Sequence, residues 1–206
     1  MEDVLEVYHR PYDSRFPVIC MDEKPYQLLG EIREPLSMKS GMVKKEDNEY
    51  VRKGMCNIFI FTEPLKGRRY LEVSVRRTKK DWAYHVKNVL ENEYPTAEKV
   101  VFVMDNLNTH TISSLYETFP PHIALPLAKR MEIHYTPKHG SWLNIAEIEL
   151  SVLSSQCLKR RVADMTLLET EIKAWQSDRN EMTKSVDWQF STEDARVKLK
   201  SLYPAV

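Results

Sequence analysis

Three acidic residues in this 206-residue chain stand where carboxylates do chemistry. Val100, Val101, Phe102, Val103 and Met104 form an apolar run with no polar alternation, the pattern of a central strand covered on both faces, and Asp105 closes it. Asn106, Leu107, Asn108 and Thr109 follow with turn and cap chemistry. Asp105 is therefore expected at the carboxyl end of a strand, where α/β folds open a crevice, although a lone acid there could equally cap the helix starting near Thr111. Val18, Ile19, Cys20 and Met21 repeat the pattern and run into Asp22. If the two strands lie side by side, both carboxylates project to one end of the sheet. Like charges so close are costly, and a divalent cation relieves that cost.

The third acid belongs to a helix expected from about Trp142 to Leu158. At about 100° per residue, Glu147 shares a helical sector with Asn144, Ser151 and Ser154, a polar strip whose small side chains leave room for a ligand. Glu149 lies about 200° away on the same wheel, so one helix cannot present both acids to one site. The polar strip favours Glu147, and the competing reading is a surface glutamate facing solvent.

The elements that must position these acids are legible in outline. Residues 1–16 lack a clear period and read as a linker stump, and 24–48, with Pro25, Gly30, Pro35 and Gly41, as a long surface loop. NIFIFTEP at 57–64 and RRYLEVSVRRT at 68–78 form a hairpin around Lys66 and Gly67. Trp82, Val86, Val89 and Leu90 mark an amphipathic helix over 79–93, stopped at Tyr94-Pro95, and Trp82 reads as core rather than as a base-stacking platform. Short helices at 111–119 and 121–130 flank Pro120-Pro121, and MEIHY at 131–135 is a strand. A helix over 165–180 uses Leu167, Leu168, Ile172 and Trp175, and a final short helix starts at a cap, Ser191 or Thr192.

Composition excludes little beyond the extremes. No apolar stretch approaches the roughly 20 residues of a membrane span, and MEDVLEVYHR lacks the features of a secretory signal, so no membrane partner and a cytoplasmic location are expected. Cys20, Cys56 and Cys157 show no CxxC pairing and read as buried free thiols. Formal net charge is zero, but residues 39–80 carry 12 Lys or Arg against 5 Asp or Glu, while 1–38 carry 4 against 8. Such segregation is either a solvated face or a surface for an anionic partner.

Asp22 with DEKPYQLLGEIREPL, Asp105 in MDNLNTH, Glu147 in PKHGSWLNIAEIELSVLSSQCLKRR and the closing VDWQFSTEDARVKLKSLYP together resemble the catalytic domain of DDE-type transposases from bacterial insertion sequences, the branch related to the mariner elements. The likeness runs from about Tyr12 to Pro204. It implies a ribonuclease-H-like (retroviral-integrase-like) α/β fold, a central mixed five-stranded sheet flanked by helices, and the strand and helix order read above agrees with it. It further implies a linker stump at 1–16, a catalytic domain at 17–180 and a C-terminal extension at 181–206 packed on the same domain.

Carried over residue by residue, the resemblance makes Asp22, Asp105 and Glu147 the carboxylate triad, with 41 residues between the last two. Two Mg²⁺ or Mn²⁺ ions held by these oxygens would cut and join DNA phosphodiester bonds in line. Lys138, His139, Lys159, Arg160 and Arg161, with Arg68, Arg69, Arg76 and Arg77, would touch phosphates. Asn106, His110 and Asn144 would support the site, His110 by orienting a carboxylate or by a helix-terminal contact. Partners would be transposon ends and target DNA near the nucleoid, other copies of the chain, and a helix-turn-helix part encoded upstream, since no such pattern is present here. Two rivals stand beside this reading: a non-catalytic fragment that regulates a full-length transposase, and a zinc enzyme built from His134, His139 and Cys157.

Overall fold

A computed structural model describes residues 1–43, 45, 47–138 and 140–203, the side chain of Leu202 excepted. Five strands, β1 Val18–Glu31, β2 Tyr50–Glu63, β3 Arg68–Ser74, β4 Val100–Met104 and β5 Met131–Tyr135, form one sheet in the order β3-β2-β1-β4-β5. The β1–β2–β3 half is antiparallel, and β4 and β5 join it in parallel. Strand parity divides the core in two. Ile19, Met21, Phe59, Phe61, Val100, Phe102 and Met104 face one layer, made of α2 Lys79–Asn88, α3 Ile112–Thr118 and α4 Pro121–Lys129. Val18, Cys20, Ile58, Ile60, Val101 and Val103 face the other, made of α1 Glu2–Tyr8, α5 Ile145–Gln156, α6 Met165–Glu181 and α7 Thr192–Lys198. Both faces are covered, which is why β4 reads as a continuous apolar run.

Several elements differ from the sequence reading. Residues 1–16 are not simply a linker: α1 buries Val4, Leu5, Val7 and Tyr8, a stripe too short to register as a period, and Tyr8 donates to the Leu143 carbonyl at 2.6 Å. The loop expected from residue 24 begins only after Glu31, because β1 continues through Pro25. Leu29 N–H points away from β2, toward the Val162 carbonyl. Alternation puts the missing N–H of Pro25 on that same side, where no ladder needs it. The 79–93 helix finishes in a π-helical turn, Val89–Glu93, and Leu167 is exposed rather than part of the buried stripe of α6. Ser191 provides the α7 cap, with Asp194 closing a capping box.

Edge strand β3 is covered by side chains of α6. Asn180 accepts from Arg69 N–H and donates to its carbonyl, Gln176 accepts from Leu71 N–H, and Lys173 Nζ donates to the Leu71 carbonyl. Positions 173, 176 and 180 share one helix face, so a single helix satisfies the edge's polar groups. Beneath it lies a buried ion pair. Arg69, 1% exposed, gives Glu149 two bonds of 2.6 and 2.9 Å, and Arg179 Nη2 adds contacts of 3.2 and 3.3 Å. Arg69 also donates to the carbonyls of Gly67 and Lys184. Gly67 turns β2 into β3 with φ +65°, and a Cβ there would stand 2.6 Å from the Lys184 carbonyl carbon, so only glycine fits.

Burial works against ionisation of Glu149, yet the two arginines outweigh it and hold its carboxyl below the ordinary value of 4.5. The contribution to stability is therefore complete above pH 4.5 and is lost as pH falls through the lowered folded value. Glu149→Gln is expected to cost roughly 3–5 kcal/mol at pH 7 by leaving Arg69 without its buried counter-charge. That deficit should shrink in acid, while Glu147→Gln changes stability by less than about 0.5 kcal/mol. Urea denaturation of both variants at pH 7 and pH 3 checks this.

Candidate functional site

The site begins with strand register. β1 and β4 pair in parallel over Val18–Cys20 and Val101–Val103, with Cys20 opposite Val103. Asp22 and Asp105 each lie two residues further on, Asp22 still within β1 and on the side lined by α5, Asp105 just past the end of β4, so the two acids stand on neighbouring segments at one end of the parallel pair. Asp22 does not close its strand as expected. β4 stops at Met104 while β1 runs on, and the notch beside β1 is where Asp22 emerges. Asp105 does not cap α3, whose N-cap is Thr111.

Glu147 arrives from the covering helix. The expected continuous helix from Trp142 is broken: Ser141–Leu143 is a 3₁₀ turn, and Asn144, with extended backbone, starts α5. Asn144 is thus a tether rather than part of the polar strip. Its Oδ1 accepts from Ala146 N–H at 3.2 Å, capping α5, and its Nδ2 donates to the Met21 carbonyl at 2.9 Å, next to Asp22. One turn along, Glu147 lines an open cleft of about 480 Å³ with Asp22, Glu23, Lys24, Leu150, Ser151 and Ser154. Lys24 Nζ is held there by Ser154 Oγ at 2.6 Å. Burial, and the nearby charges of Asp105, Glu23 and Glu147, push the Asp22 carboxyl up to about 7, even though the Glu23 N–H bond favours its charged form. Glu149, from the same helix, points away into its arginines.

The structure joins His110 to Asp105, as expected of a residue that orients a carboxylate, and adds Glu23, which the sequence did not single out. Asp22, Asp105 and Glu147 do not form the tightest acid cluster. Among the described residues, the atoms of Glu23, Asp105 and His110 are the ones that lie within 4.8 Å of one another. His110 Nδ1 stands 2.5 Å from Asp105 Oδ1 and Nε2 stands 3.0 Å from Glu23 Oε2. Burial lowers the His110 pKa, but the two carboxylates prevail and raise it to about 9, so the ring carries both protons at neutral pH. The available signal for Glu23 was alternation: next to Asp22 it must face the opposite side of the sheet, toward Trp82, on which the His110 ring stacks at 5.9 Å.

The basic residues divide by sheet end. Arg76 and Arg77 follow the end of β3, where Arg77 Nη1 stands 3.8 Å from Glu23 Oε1. Arg77 lines a cleft of about 280 Å³ with Glu23, Leu107, Asn108 and Thr109, and Arg76 lines one of about 520 Å³ with Lys79 and Lys80. Arg68 and Arg69 pair with Glu63 and Thr62 at the opposite end. The expectation of phosphate contact fails for Arg69, which is buried, and topology sets Arg68 away from the cleft. Arg161 is likewise engaged internally, with Glu31 and the carbonyls of Asp47 and Glu49, while Arg160 pairs with Glu171. Lys138, Lys159 and Asn106 are exposed, and His139 lies outside the described residues. The zinc alternative loses His134, whose nitrogens meet Asp3 and Glu132 at 2.8 and 2.9 Å.

Residues 17–169 match the family model described as DDE superfamily endonuclease. Among curated proteins, none matches this sequence. Solved structures do share its fold. The Mos1 mariner paired-end complex with Mn is 15% identical with a TM-score of 0.60, covering 88% of this chain and 54% of its own. The Mos1 strand transfer complex is 13% identical with a TM-score of 0.59, covering 88% and 53%. The catalytic domain of Mos1 transposase is 12% identical with a TM-score of 0.56, covering 88% and 86%. The sheet is that of the ribonuclease-H-like fold, and this chain spans about half the length of the full Mos1 chains. No helix among the described residues is long and apolar enough to cross a membrane.

Asn144→Ala removes both the helix cap and the bond to Met21. A lost cap costs about 1 kcal/mol and an unpaired buried carbonyl about 1–3 kcal/mol, so a loss of roughly 2–4 kcal/mol is expected in thermal unfolding. Asn144→Ser, which keeps a capping oxygen, should recover about 1 kcal/mol of it.

Proposed function

Because this chain belongs to the DDE superfamily of endonucleases, we propose that it is the catalytic domain of a transposase of the bacterial insertion-sequence branch, cutting DNA phosphodiester bonds and joining the ends to target DNA. The observation that carries this reading is the sharing of one cleft by Asp22 and Glu147, with Asp105 just past the end of the neighbouring strand and close enough for its charge to act on Asp22. The donor set fits a divalent cation: three hard carboxylate groups, one of them, Asp22, disfavoured as an anion until a positive charge offsets burial and its neighbours. Asp22, Asp105 and Glu147 would hold Mg²⁺ or Mn²⁺, and the Mn of the Mos1 paired-end complex supports that choice. When bound, a pair of such ions supplies a water made nucleophilic at neutral pH and charge stabilisation for the leaving oxygen.

The remaining roles belong to the chain's own side chains. Lys24, fixed by Ser154 at the wall of the cleft, offers a point charge to a phosphate entering it. Arg76, Arg77, Lys138 and Lys159 lie exposed and suit the backbone of a duplex, which positions DNA without reading its sequence. Two of the Mos1 neighbours are a paired-end complex with the left transposon end and a strand transfer complex, which supports DNA as the partner.

Two measurements test the proposal. With Mn²⁺, the chain should nick duplex DNA slowly and rise in melting temperature. Glu147→Gln and Asp105→Asn should lose nicking by at least about 100-fold while duplex binding at low salt stays within about threefold. Nicking by both variants at the wild-type rate, or a melting temperature indifferent to Mn²⁺, would overturn the assignment. Separately, Arg76→Gln with Arg77→Gln should flatten the dependence of log K on log salt by about two, near 0.9 per lost phosphate contact. An unchanged slope removes these arginines from the DNA path.

A further inference from the structure

Asp105 differs from the other two acids in how it is held. Its loop, residues 105–111, is exposed from Asn106 to Asn108, yet it returns at His110 to a fully buried position. There the imidazole is fixed on every side. Its ring stacks on buried Trp82, its backbone N–H donates to the Leu107 carbonyl at 3.0 Å, and its carbonyl accepts from Tyr135 at 2.7 Å. Nδ1 bonds Asp105 Oδ1 at 2.5 Å, and Nε2 faces Glu23 Oε2 at 3.0 Å. Glu23 is only 2% exposed at its side chain and makes no hydrogen bond of good geometry through Oε2 among the described residues; its counter-charges are the ring's second nitrogen, 3.0 Å from Oε2, and Arg77 Nη1, 3.8 Å from Oε1, of which the ring is the nearer.

Resting on the transposase reading above, we propose that Glu23 and His110 are positioning residues for Asp105. Glu23, on the far side of β1 from Asp22, steadies the imidazole. The imidazole in turn occupies Oδ1 of Asp105 and leaves Oδ2 as the oxygen turned out for a cation. One strand thereby serves the site from both faces, Asp22 directly and Glu23 through the ring. The same three residues could instead be taken as a cation cage. Two observations oppose that: Nδ1 and Oδ1 at 2.5 Å leave no space for an ion between them, and the ring separates the two carboxylates instead of converging with them on a centre. A histidine that orients a ligating carboxylate acts on metal affinity, typically by 10–100-fold when it is lost.

Titration of the whole chain with Mn²⁺, followed by the loss of the free-ion electron paramagnetic resonance signal, separates the cases without any activity assay. Asp105→Asn should weaken Mn²⁺ binding by at least about 100-fold and His110→Phe by about 10–100-fold, with duplex binding at low salt unchanged in both. Glu23→Leu leaves the ring's Nε2 without its carboxylate and should weaken Mn²⁺ binding by about tenfold, an unchanged affinity removing Glu23 from the clamp. Glu23→Gln retains an oxygen to face the ring and should bind Mn²⁺ within about threefold of the wild type. If Glu23→Gln falls as far as Asp105→Asn, Glu23 is itself a ligand and the positioning role is wrong. If His110→Phe binds Mn²⁺ as the wild type does, the clamp has no effect and the proposal fails. Should His110→Phe not fold, His110→Asn keeps a donor near the Nδ1 position: recovery to within about fivefold of wild type supports the clamp, and a loss equal to that of Asp105→Asn overturns it. Unaltered Mn²⁺ binding in Asp105→Asn would instead sink the carboxylate assignment of the preceding section, which distinguishes the two failures.

Discussion

The parallel pairing of β1 with β4 is the constraint on which the rest depends. It is short, three residues on each strand, and its register puts Cys20 against Val103. Everything at the site follows from counting onward from that pair. Two residues further, β1 presents Asp22 to the cleft and the chain leaving β4 presents Asp105, which bonds His110; one residue of slip would turn Asp22 into the opposite layer, with Ile19 and Met21. The register is protected by the apolar residues before the acids, since the same slip would expose Val18 and Cys20 to the wrong layer. Packing of the core and placement of the carboxylates are thus one specification.

Around the cleft two elements each present two acids close together, and geometry assigns them different work. On β1, Asp22 and Glu23 are adjacent, so a period of two sends one to the cleft and the other to His110 beneath α2. On α5, Glu147 and Glu149 are two apart, so a helical turn sends one to the cleft and the other to Arg69 and Arg179. In each case the second acid is buried, and each buried acid has a cationic partner. Glu149 ties α5 to β3 and α6, which holds the helix that carries Glu147. Asn144 fixes the same helix at its other anchor, the carbonyl before Asp22. Glu147 is therefore set by two polar contacts on either side of it, neither of which it makes itself.

Positive charge is sorted by the direction of the strands. The arginine pair at the start of β3 and the pair just after its end look alike in the sequence, yet the strand carries them to opposite ends of the sheet. The first pair lies at the turn, where Arg69 became part of the core and bonds the carbonyls that close it. The second lies at the end where Glu23 and the residues after Asp105 open into a cleft. Arg161 makes a similar point: a basic run that suggests a surface instead contributes a side chain that binds the carbonyls of the segment leading into β2.

The apolar runs, their closing acids, the helix periods and the turn glycines are local patterns, and they determined the five strands, their order, and Asp22, Asp105 and Glu147 as residues worth following. Local pattern also separated Glu147 from Glu149, because a helical wheel needs no knowledge of neighbours. Pairing was beyond it. That β1 continues past Asp22 depends on where β4 stops, and that Pro25 is tolerated depends on which side of the strand lacks a partner. Four buried residues in α1 carry no readable period, and only packing against β5, α7 and the start of α5 gives them a place. The burial of Arg69, and the meeting of Glu23 with His110 across 87 positions, were decided by tertiary structure alone, since a charged side chain reads as solvated until its counter-charge arrives from a distant segment.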